Sequence, residues 1–449
     1  MRDLFLVGFI AALVLAGFKR PFLWVLLYAY IDIVSPQRLS YFLLNAIPIS
    51  QIVFALALAG WLVADARRSA MPAPRQWLLL ILLTYCGLMT LNADFPVEAA
   101  SKWDWVSKAL IFAIFLPFTL TTRLRLEALL LFMTLSASAI VVTGGIKTVL
   151  SGGGYGALRL MVDNNSGLYE SSTISAVAIA LIPIILWLMR HGTIFPPDGR
   201  VRTYGWALIF ACLLIPVGTQ ARTGLVCIGV LALLQLRSTR RRFLHVGAAA
   251  AIGLAALPFL PSSFTERMET IRDHRGDQSA TTRLAVWAWT WDYVGEHPLG
   301  GGFDAYRGNR LQITTEQTEG AGAITATETR TEWDQGRAYH NVYFEMLGEH
   351  GWPGLILFLL IHGGGAWRME LLRRRHARDE ARPWAAPLAT ALSHAHLVYL
   401  VGGMFVGMAF QPFVYMLVGA QIGFDRYLKR SGAKATGWGR PLRASPAAA

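Results

Sequence analysis

The sequence predicts an all-α polytopic membrane protein with about 12 transmembrane helices and one large loop on the outer side that contains short helices. Three observations lead to this fold class. Of 449 residues, 54% are hydrophobic and only 15% are charged, whereas about a quarter of the residues of a soluble protein are charged. The apolar residues form blocks of about 15 to 20, close to the length that a helix needs to cross a bilayer. Basic residues fill every second connection between these blocks.

Each apolar block is assigned to one span. The first two blocks are short and could form a hairpin of partial penetration, so the total is about 12 or 13. In chain order the predicted spans lie near residues 3–18, 21–34, 47–64, 76–91, 104–120, 125–145, 171–190, 203–218, 222–236, 243–260, 341–367, 385–403 and 408–425. The predicted regions are N-terminal helices (1–170), a second group of helices (171–260), a large loop (261–340), C-terminal helices (341–427) and a cytoplasmic tail (428–449).

The net charge of +13 is explained by topology. More than half of the 41 Lys and Arg residues lie in alternate connections, with clusters at 67–75, 123–125, 190–202, 237–242 and 368–382. By the positive-inside rule these connections face the cytoplasm. We therefore expect a multi-pass protein among membrane lipids, and no nucleic-acid partner.

The connections on the opposite side include residues 92–103, 146–170, the turn at 218–221 and the long loop 261–340. The long loop carries 12 acidic and 8 basic residues, so its local charge is −4 within a strongly basic chain. A loop of this length on a rigid scaffold is typical of a functional region.

Several chemistries find no support in the sequence. It contains no Walker A loop, no GxGxxG after a strand, no HExxH and no CxxC pair, which are the signatures of ATP hydrolysis, dinucleotide redox chemistry, zinc proteolysis and thiol redox or metal sites. Cys86, Cys212 and Cys227 lie inside apolar segments and are interpreted as core residues. We expect no cofactor and no metal.

Two arginines on the outer side are candidates for binding an anion. Arg222 follows the polar turn 218–221 at the start of a span, where it either extends its guanidinium to the interface or serves a buried anion. Arg283 follows Thr281-Thr282 at the start of a helix with Trp at 287, 289 and 291, and a guanidinium there could hold phosphate through two parallel hydrogen bonds. The alternative for Arg283 is a surface salt bridge.

His340 is the candidate general base, because an unperturbed pKa near 6.5 suits proton transfer at neutral pH. The spacing of His340, Phe344 and Leu347 predicts one helical face, with the imidazole directed inward. Glu345 and Glu349 could form a carboxylate pair or a metal site. Lys147 and Arg159 could add positive charge from the loop 146–170, whereas His394 and His396 are interpreted as structural.

Three local motifs occur in order on the outer side. They are Arg222 after a small polar turn, Arg-x-x-x-Trp (Arg283 to Trp287) leading to His297-Pro298-Leu299-Gly300-Gly301-Gly302-Phe303, and His340-Asn341 at the end of the long loop. With these motifs the chain resembles the O-antigen ligase family of membrane glycosyltransferases, with the shared domain at about residues 175–360. The N-terminus resembles the subgroup of exosortase-associated O-glycosylation ligases.

The resemblance implies a metal-independent, inverting glycosyltransferase in the bacterial inner membrane with its active site facing the periplasm. The donor would be a glycan on undecaprenyl diphosphate and the acceptor the sugar of lipid A-core. It implies His340, Arg222 and Arg283 as catalytic residues, and Arg222, Arg283, Arg159, Lys147 and Asn341 as substrate-binding residues.

Three alternatives stay open. An O-antigen polymerase would use a second carrier-linked glycan as acceptor, and a protein O-oligosaccharyltransferase would use a protein. A transporter of lipid-linked glycans would belong to another class, in which internal repeats are common; the sequence contains no convincing repeat.

Overall fold

The computed structural model describes residues 2–64, 71–150, 168–237, 278–321 and 324–436. These residues form fourteen α-helices and one two-stranded ribbon. The helices are α1 (Arg2–Lys19), α2 (Phe22–Val34), α3 (Pro36–Leu39), α4 (Ile49–Ala64), α5 (Pro74–Leu91), α6 (Pro96–Thr119), α7 (Arg123–Leu150), α8 (Ser171–His191), α9 (Gly199–Gly218), α10 (Arg222–Leu236), α11 (Gln278–Glu296), α12 (Val342–Arg375), α13 (Ala385–Gly402) and α14 (Pro412–Thr436).

The predicted apolar blocks in the described part of the chain are all helical. The agreement is closest for α8 and α10, which begin at the predicted residues. It is poorer for α14, which ends 11 residues after the predicted end at 425, and for α6, which begins at Pro96 and not near 104. A proline at the first helical position favours helix initiation in α6, and the charged first turns extend beyond the apolar run. The predicted span 243–260 lies outside the described residues.

By length and composition, five of the described helices could cross a membrane: α5, α7, α8, α9 and α12. Three shorter apolar helices, α2, α4 and α10, accompany them. Large apolar side chains lie exposed on the helix surfaces, including Phe5, Val63 and Phe210, as expected where the surrounding medium is lipid. The chain is therefore a helical membrane protein, and the number of spans stays a prediction.

The helices share two ends of one bundle. At one end of the bundle α6 and α8 end, and α7 and α13 begin. Two arginines cap helix ends there: Arg123 donates to the carbonyl of His191 at 2.7 Å, and Arg430 donates to the carbonyl of Leu120 at 3.0 Å. We call this the basic end. At the other end α6, α8, α10, α12 and α14 start, and the amide of Val342 donates to the carbonyl of Gly403 at 2.8 Å. We call it the site end.

A polar network crosses the apolar core between α5, α12, α13 and α14. His362 Nδ1 lies 2.8 Å from His396 Nε2, and His396 Nδ1 lies 2.9 Å from Gln421. Arg75 donates to Gln421 at 2.9 Å. His396 therefore has the structural role that its position in a span predicts, while His394 lies against a separate cavity at the basic end.

The described part of the long loop contains one 19-residue helix and a β-ribbon. The ribbon was not predicted. Its antiparallel strands β1 (Arg310–Ala321) and β2 (Ile324–Gln335) place Arg310 opposite Gln335 and Ala321 opposite Ile324. The helix α11 begins at Gln278, five residues before the predicted start at Arg283. Residues 261–277 lie outside the described residues.

Candidate active site

A cavity of about 290 Å³ opens at the site end. It lies between the first turns of α6, the segment that follows the glycine loop, the start of α12 and the segment before α14. The residues that line it are Glu98, Ser101, Lys102, Trp105, Glu170, Asp304, Tyr306, Arg307, Ala338, Tyr339, His340, Glu345, Glu349, Val406, Gly407, Met408, Phe410 and Gln411. Of the predicted catalytic and substrate-binding residues in the described part of the chain, His340 is among them, as are both members of the predicted carboxylate pair, Glu345 and Glu349.

Lys102 is the centre of the ion pairs in this cavity. Its Nζ lies 2.8 Å from Glu349, 2.9 Å from Glu345 and 3.7 Å from Asp304. The predicted carboxylate pair on α12 therefore exists, and a lysine from α6 bridges it. Among the residues that the structure describes, no group of three or more His, Cys, Asp or Glu could hold a metal ion.

The same carboxylates also bind the backbone around the cavity. Glu349 accepts from the amide of Asp304 at 3.0 Å, and Glu345 accepts from the amide of Ala409 at 3.1 Å. Glu349 is completely buried, so these contacts replace water as its hydrogen-bond donors. The cluster thereby fixes the segments at 304 and 409 to α12.

His340 lies just before α12, and the predicted inward helical face is wrong for this residue. Its φ of +48° is left-handed, so it cannot continue the helix, and the side chain remains exposed beside the cavity. Asn341 is the N-cap of α12: its side-chain oxygen accepts from the amides of Tyr343 at 2.9 Å and Phe344 at 3.4 Å. Asn341 thus positions His340, and its binding of substrate stays a prediction.

The surroundings of His340 lower the pKa of its imidazole below the ordinary 6.5. Burial is the largest cause, followed by the positive charges of Arg283 and Arg337; Glu170 and Glu345 act in the opposite direction. A lowered pKa favours the neutral imidazole, which is the form that a general base needs before it accepts a proton. This effect also identifies Arg283 as an electrostatic neighbour of His340.

The helix α11 is held against the start of α12 by aromatic contacts. The indole of Trp287 stacks on Phe344 with ring centroids 5.1 Å apart, and its Nε1 donates to the carbonyl of Tyr339 at 2.8 Å. Val286 packs in a small cluster with Tyr339 and Leu311. Because Arg283 lies one turn before Trp287, this packing positions it near His340.

The glycine loop 298–303 inserts into a kink of α12. The kink lies at Gly351, whose φ is +57°. The amides of Gly301 and Gly302 donate to the carbonyls of Gly348 and Glu349 at 3.1 and 2.9 Å, and the amide of Trp352 donates to the carbonyl of Pro298 at 3.0 Å. Since a Cβ at Gly351 would overlap the backbone of the loop, the glycines permit this close approach. The loop leads directly to Asp304 in the cavity.

Two more of the predicted basic residues, Arg222 and Lys147, lie at the site end and are not among the described residues that line the cavity. Arg222 is the first residue of α10, four residues after Gly218, which packs against Thr148 near the end of α7. Lys147 lies in the last turn of α7 and not in the predicted loop. Arg159 lies outside the described residues. The structure therefore brings His340 and Arg283 together and leaves Arg222 and Lys147 at the same end of the bundle.

Several residues of the site were missed by the sequence analysis. Lys102, Asp304 and Glu170 carry no motif of their own, and Lys102 meets Glu345 and Glu349 only through packing of α6 against α12. One signal was available: Lys102 stands between apolar and Trp residues at the start of a helix, where an unpaired ammonium is costly and a carboxylate partner is to be expected.

Together, these features define a helical membrane protein with a charged cavity at one end of the bundle and His340 at the edge of that cavity. Residues 207–359 match the family model described as O-antigen ligase. The chain thus carries a domain of the O-antigen ligase family, which confirms the predicted resemblance, over a range somewhat shorter than 175–360. This range contains Arg222, Arg283, His340 and Asn341.

The N-terminal part of the chain matches a second family model. Residues 1–193 match the model of a family of unknown function (DUF5935), and Lys147, Arg159, Lys102 and Glu170 fall in this range. The cavity is therefore built from both matched ranges and from the segment 406–411, which lies in neither. No curated protein matches the sequence. The family supports a ligase- or polymerase-like function that uses lipid-linked glycan in a membrane.

Proposed function

We propose that the protein is an O-antigen ligase that transfers a glycan from undecaprenyl diphosphate to the sugar of lipid A-core, at the periplasmic face of the bacterial inner membrane. The observation that carries the proposal is the position of His340 at the charged cavity of the site end, in the domain that matches the O-antigen ligase family. The basic end of the bundle would face the cytoplasm by the positive-inside rule, and the cavity would then face the periplasm.

The donor already contains its leaving group, so the enzyme needs to stabilise charge as the bond to the anomeric carbon breaks. Arg222 and Arg283 are proposed to bind the diphosphate, because a guanidinium can donate two parallel hydrogen bonds to phosphate oxygens. Lys147 and Arg159 would add positive charge near the donor. Stabilisation of the departing diphosphate in this way favours the transition state over the bound substrate.

His340 is proposed to accept the proton of the acceptor hydroxyl. The hydroxyl oxygen then forms a bond to the anomeric carbon, the bond from that carbon to the diphosphate oxygen breaks, and undecaprenyl diphosphate leaves with the bonding electrons. A single in-line attack inverts the configuration at this carbon. The imidazolium returns its proton to solvent or to the departing diphosphate, and no nucleotide or metal ion takes part.

The deciding experiment is reconstitution of the full chain in liposomes with an undecaprenyl-diphosphate glycan and purified lipid A-core. We expect inverted product in the absence of nucleotide and in the presence of EDTA. A loss of activity that a divalent cation restores would contradict the metal-free mechanism.

The same assay separates the alternatives by the molecule that carries the label. Label on a longer carrier-linked glycan would identify a polymerase, and label on protein would identify a protein O-oligosaccharyltransferase. Movement of the donor across the bilayer with no covalent product would identify a transporter.

A further inference from the structure

The cavity beside His340 contains more acidic than basic side chains. Its lining includes five carboxylates, from Glu98, Glu170, Asp304, Glu345 and Glu349, and two full cations, from Lys102 and Arg307. The arginines proposed to bind the donor are not part of this lining. His340 therefore lies at the edge of an acidic cavity and is also within electrostatic reach of Arg283.

The two cations do not balance the five carboxylates. Lys102 is shared by three of them. Arg307 lies 3.5 Å from Asp304 and 3.8 Å from Glu98 at an exposed position, where solvent weakens the attraction. The cavity thus keeps a negative excess after all its ion pairs are formed.

Tyr339 forms one wall of the cavity and is only 2% exposed. Its hydroxyl is buried against Gly348 of α12 and is not accessible from the cavity. Tyr339 therefore shapes the cavity and offers no hydrogen bond to a ligand.

The chemistry of the lining suits a sugar. Carboxylates accept hydrogen bonds from hydroxyl or ammonium groups, and the rings of Trp105, Tyr306 and Phe410 offer apolar faces for the C–H side of a pyranose. The volume of about 290 Å³ is at the small end of ligand sites, which favours a short terminal unit over a long glycan.

We infer that this cavity is the acceptor subsite and that it takes a terminal neutral or amino sugar, with phosphorylated and uronic sugars disfavoured. This inference rests on the proposed function, because it assigns the cavity to the substrate whose hydroxyl faces His340. The negative excess repels anionic acceptors and also keeps the donor diphosphate on the side of Arg222 and Arg283. Charge thereby sorts the two substrates to the two sides of the imidazole.

The test uses the full chain in liposomes with one undecaprenyl-diphosphate glycan and four matched oligosaccharide acceptors. These acceptors end in glucose, glucosamine, glucose 6-phosphate or glucuronic acid. We expect the KM for the two anionic acceptors to exceed that for the neutral one by about tenfold or more, with kcat changed much less, since like charges oppose binding in the cavity.

A charge reversal tests the same inference from the side of the protein. Glu98 lies half-buried at the edge of the cavity and outside the Lys102 cluster, so Glu98→Lys is expected to lower the KM for the phosphorylated acceptor. Glu98→Gln should give a smaller change in the same direction. Asp292→Asn, an exposed carboxylate of α11 outside the cavity, is the matched control and should leave the KM ratios unchanged.

The outcomes distinguish a failure of the acceptor assignment from a failure of the proposed glycan-transfer function. Equal KM values for neutral and anionic acceptors, or a preference for the anionic ones, would overturn the acceptor assignment while transfer itself persists. Absence of product with every acceptor, including lipid A-core, would contradict the proposed function.

Discussion

The two ends of the bundle use charge in opposite ways. At the basic end, several cations share one carboxylate or bind helix carbonyls: Glu370 is contacted by Arg237, Arg373 and Arg374. Arg123 there binds the carbonyl of the last residue of α8. At the site end, three carboxylates converge on one lysine, Lys102. Cations therefore predominate in the contacts of the basic end, whereas carboxylates predominate around Lys102 at the site end.

The direction of the helices explains part of this contrast. Several of the described helices start at the site end, among them α6, α8 and α12, and the N-terminus of a helix carries a partial positive charge that favours anions. Glu98 lies in the first turn of α6, Glu170 caps α8, and Glu345 lies in the first turn of α12. The partial positive charges of these helix N-termini therefore stabilise the carboxylates of the acidic cavity, which lies beside the proposed donor site.

The largest expected effect comes from removing the base at the site end. His340→Ala should lower kcat by about 10² to 10⁴-fold, the usual range for general-base catalysis, while binding of the donor and the elution volume of the protein stay unchanged. His340→Gln, which keeps polarity and loses the base, should behave alike. Full transfer activity in either variant would refute the assignment.

The next largest effect is expected for the arginines of the site end, and a substitution at the basic end serves as the control. Arg222→Lys and Arg283→Lys keep the charge and lose the paired hydrogen bonds, so we expect transfer to fall by about 10² to 10³-fold. The control is Arg375→Lys, an exposed arginine of the basic end. Equal losses in all three variants would show that the effect is general and not specific to donor binding.

A matched pair of lysines on α6 tests the stability of the acidic cluster. Lys102→Met leaves three carboxylates without their shared cation and should lower the free energy of unfolding by about 3 to 5 kcal/mol, as for a broken buried ion pair. Lys108→Met removes the partner of the exposed Asp104 and should cost about 0 to 1 kcal/mol. Denaturation in detergent measures both, and similar losses would contradict the central role of Lys102.

The smallest effect concerns the pH dependence of transfer. Because the pKa of His340 is lowered from 6.5, the neutral, active form persists as pH falls through 6.5, and kcat/KM should decline only below that value. Arg337→Met removes one of the charges that lower this pKa and should move the decline upward by a fraction of a pH unit. Arg310→Met, on the exposed start of β1, is the control, and an identical shift there would exclude the electrostatic cause.

The sequence predicted the helices well because their apolar runs are bounded by charge and turn residues, as at both ends of α10. It did not predict the β-ribbon, whose strands are rich in Thr and Glu and lack apolar alternation; the Thr and Ile residues flanking Ala321 were the available signal. The motifs made His340 and Arg283 candidate site residues, and their roles stay predictions. Lys102 and Asp304 became visible only when packing brought distant segments together.

The kink at Gly351 also has a consequence for the order of assembly during synthesis. The amides of Gly301 and Gly302 donate to carbonyls of α12 that lie 47 residues later in the chain in both cases. These amides therefore bind water until α12 has been synthesised and inserted. At about 5 to 20 residues per second, this interval lasts roughly 2 to 10 seconds. The acidic cavity is therefore completed late, after the preceding membrane helices have already entered the bilayer.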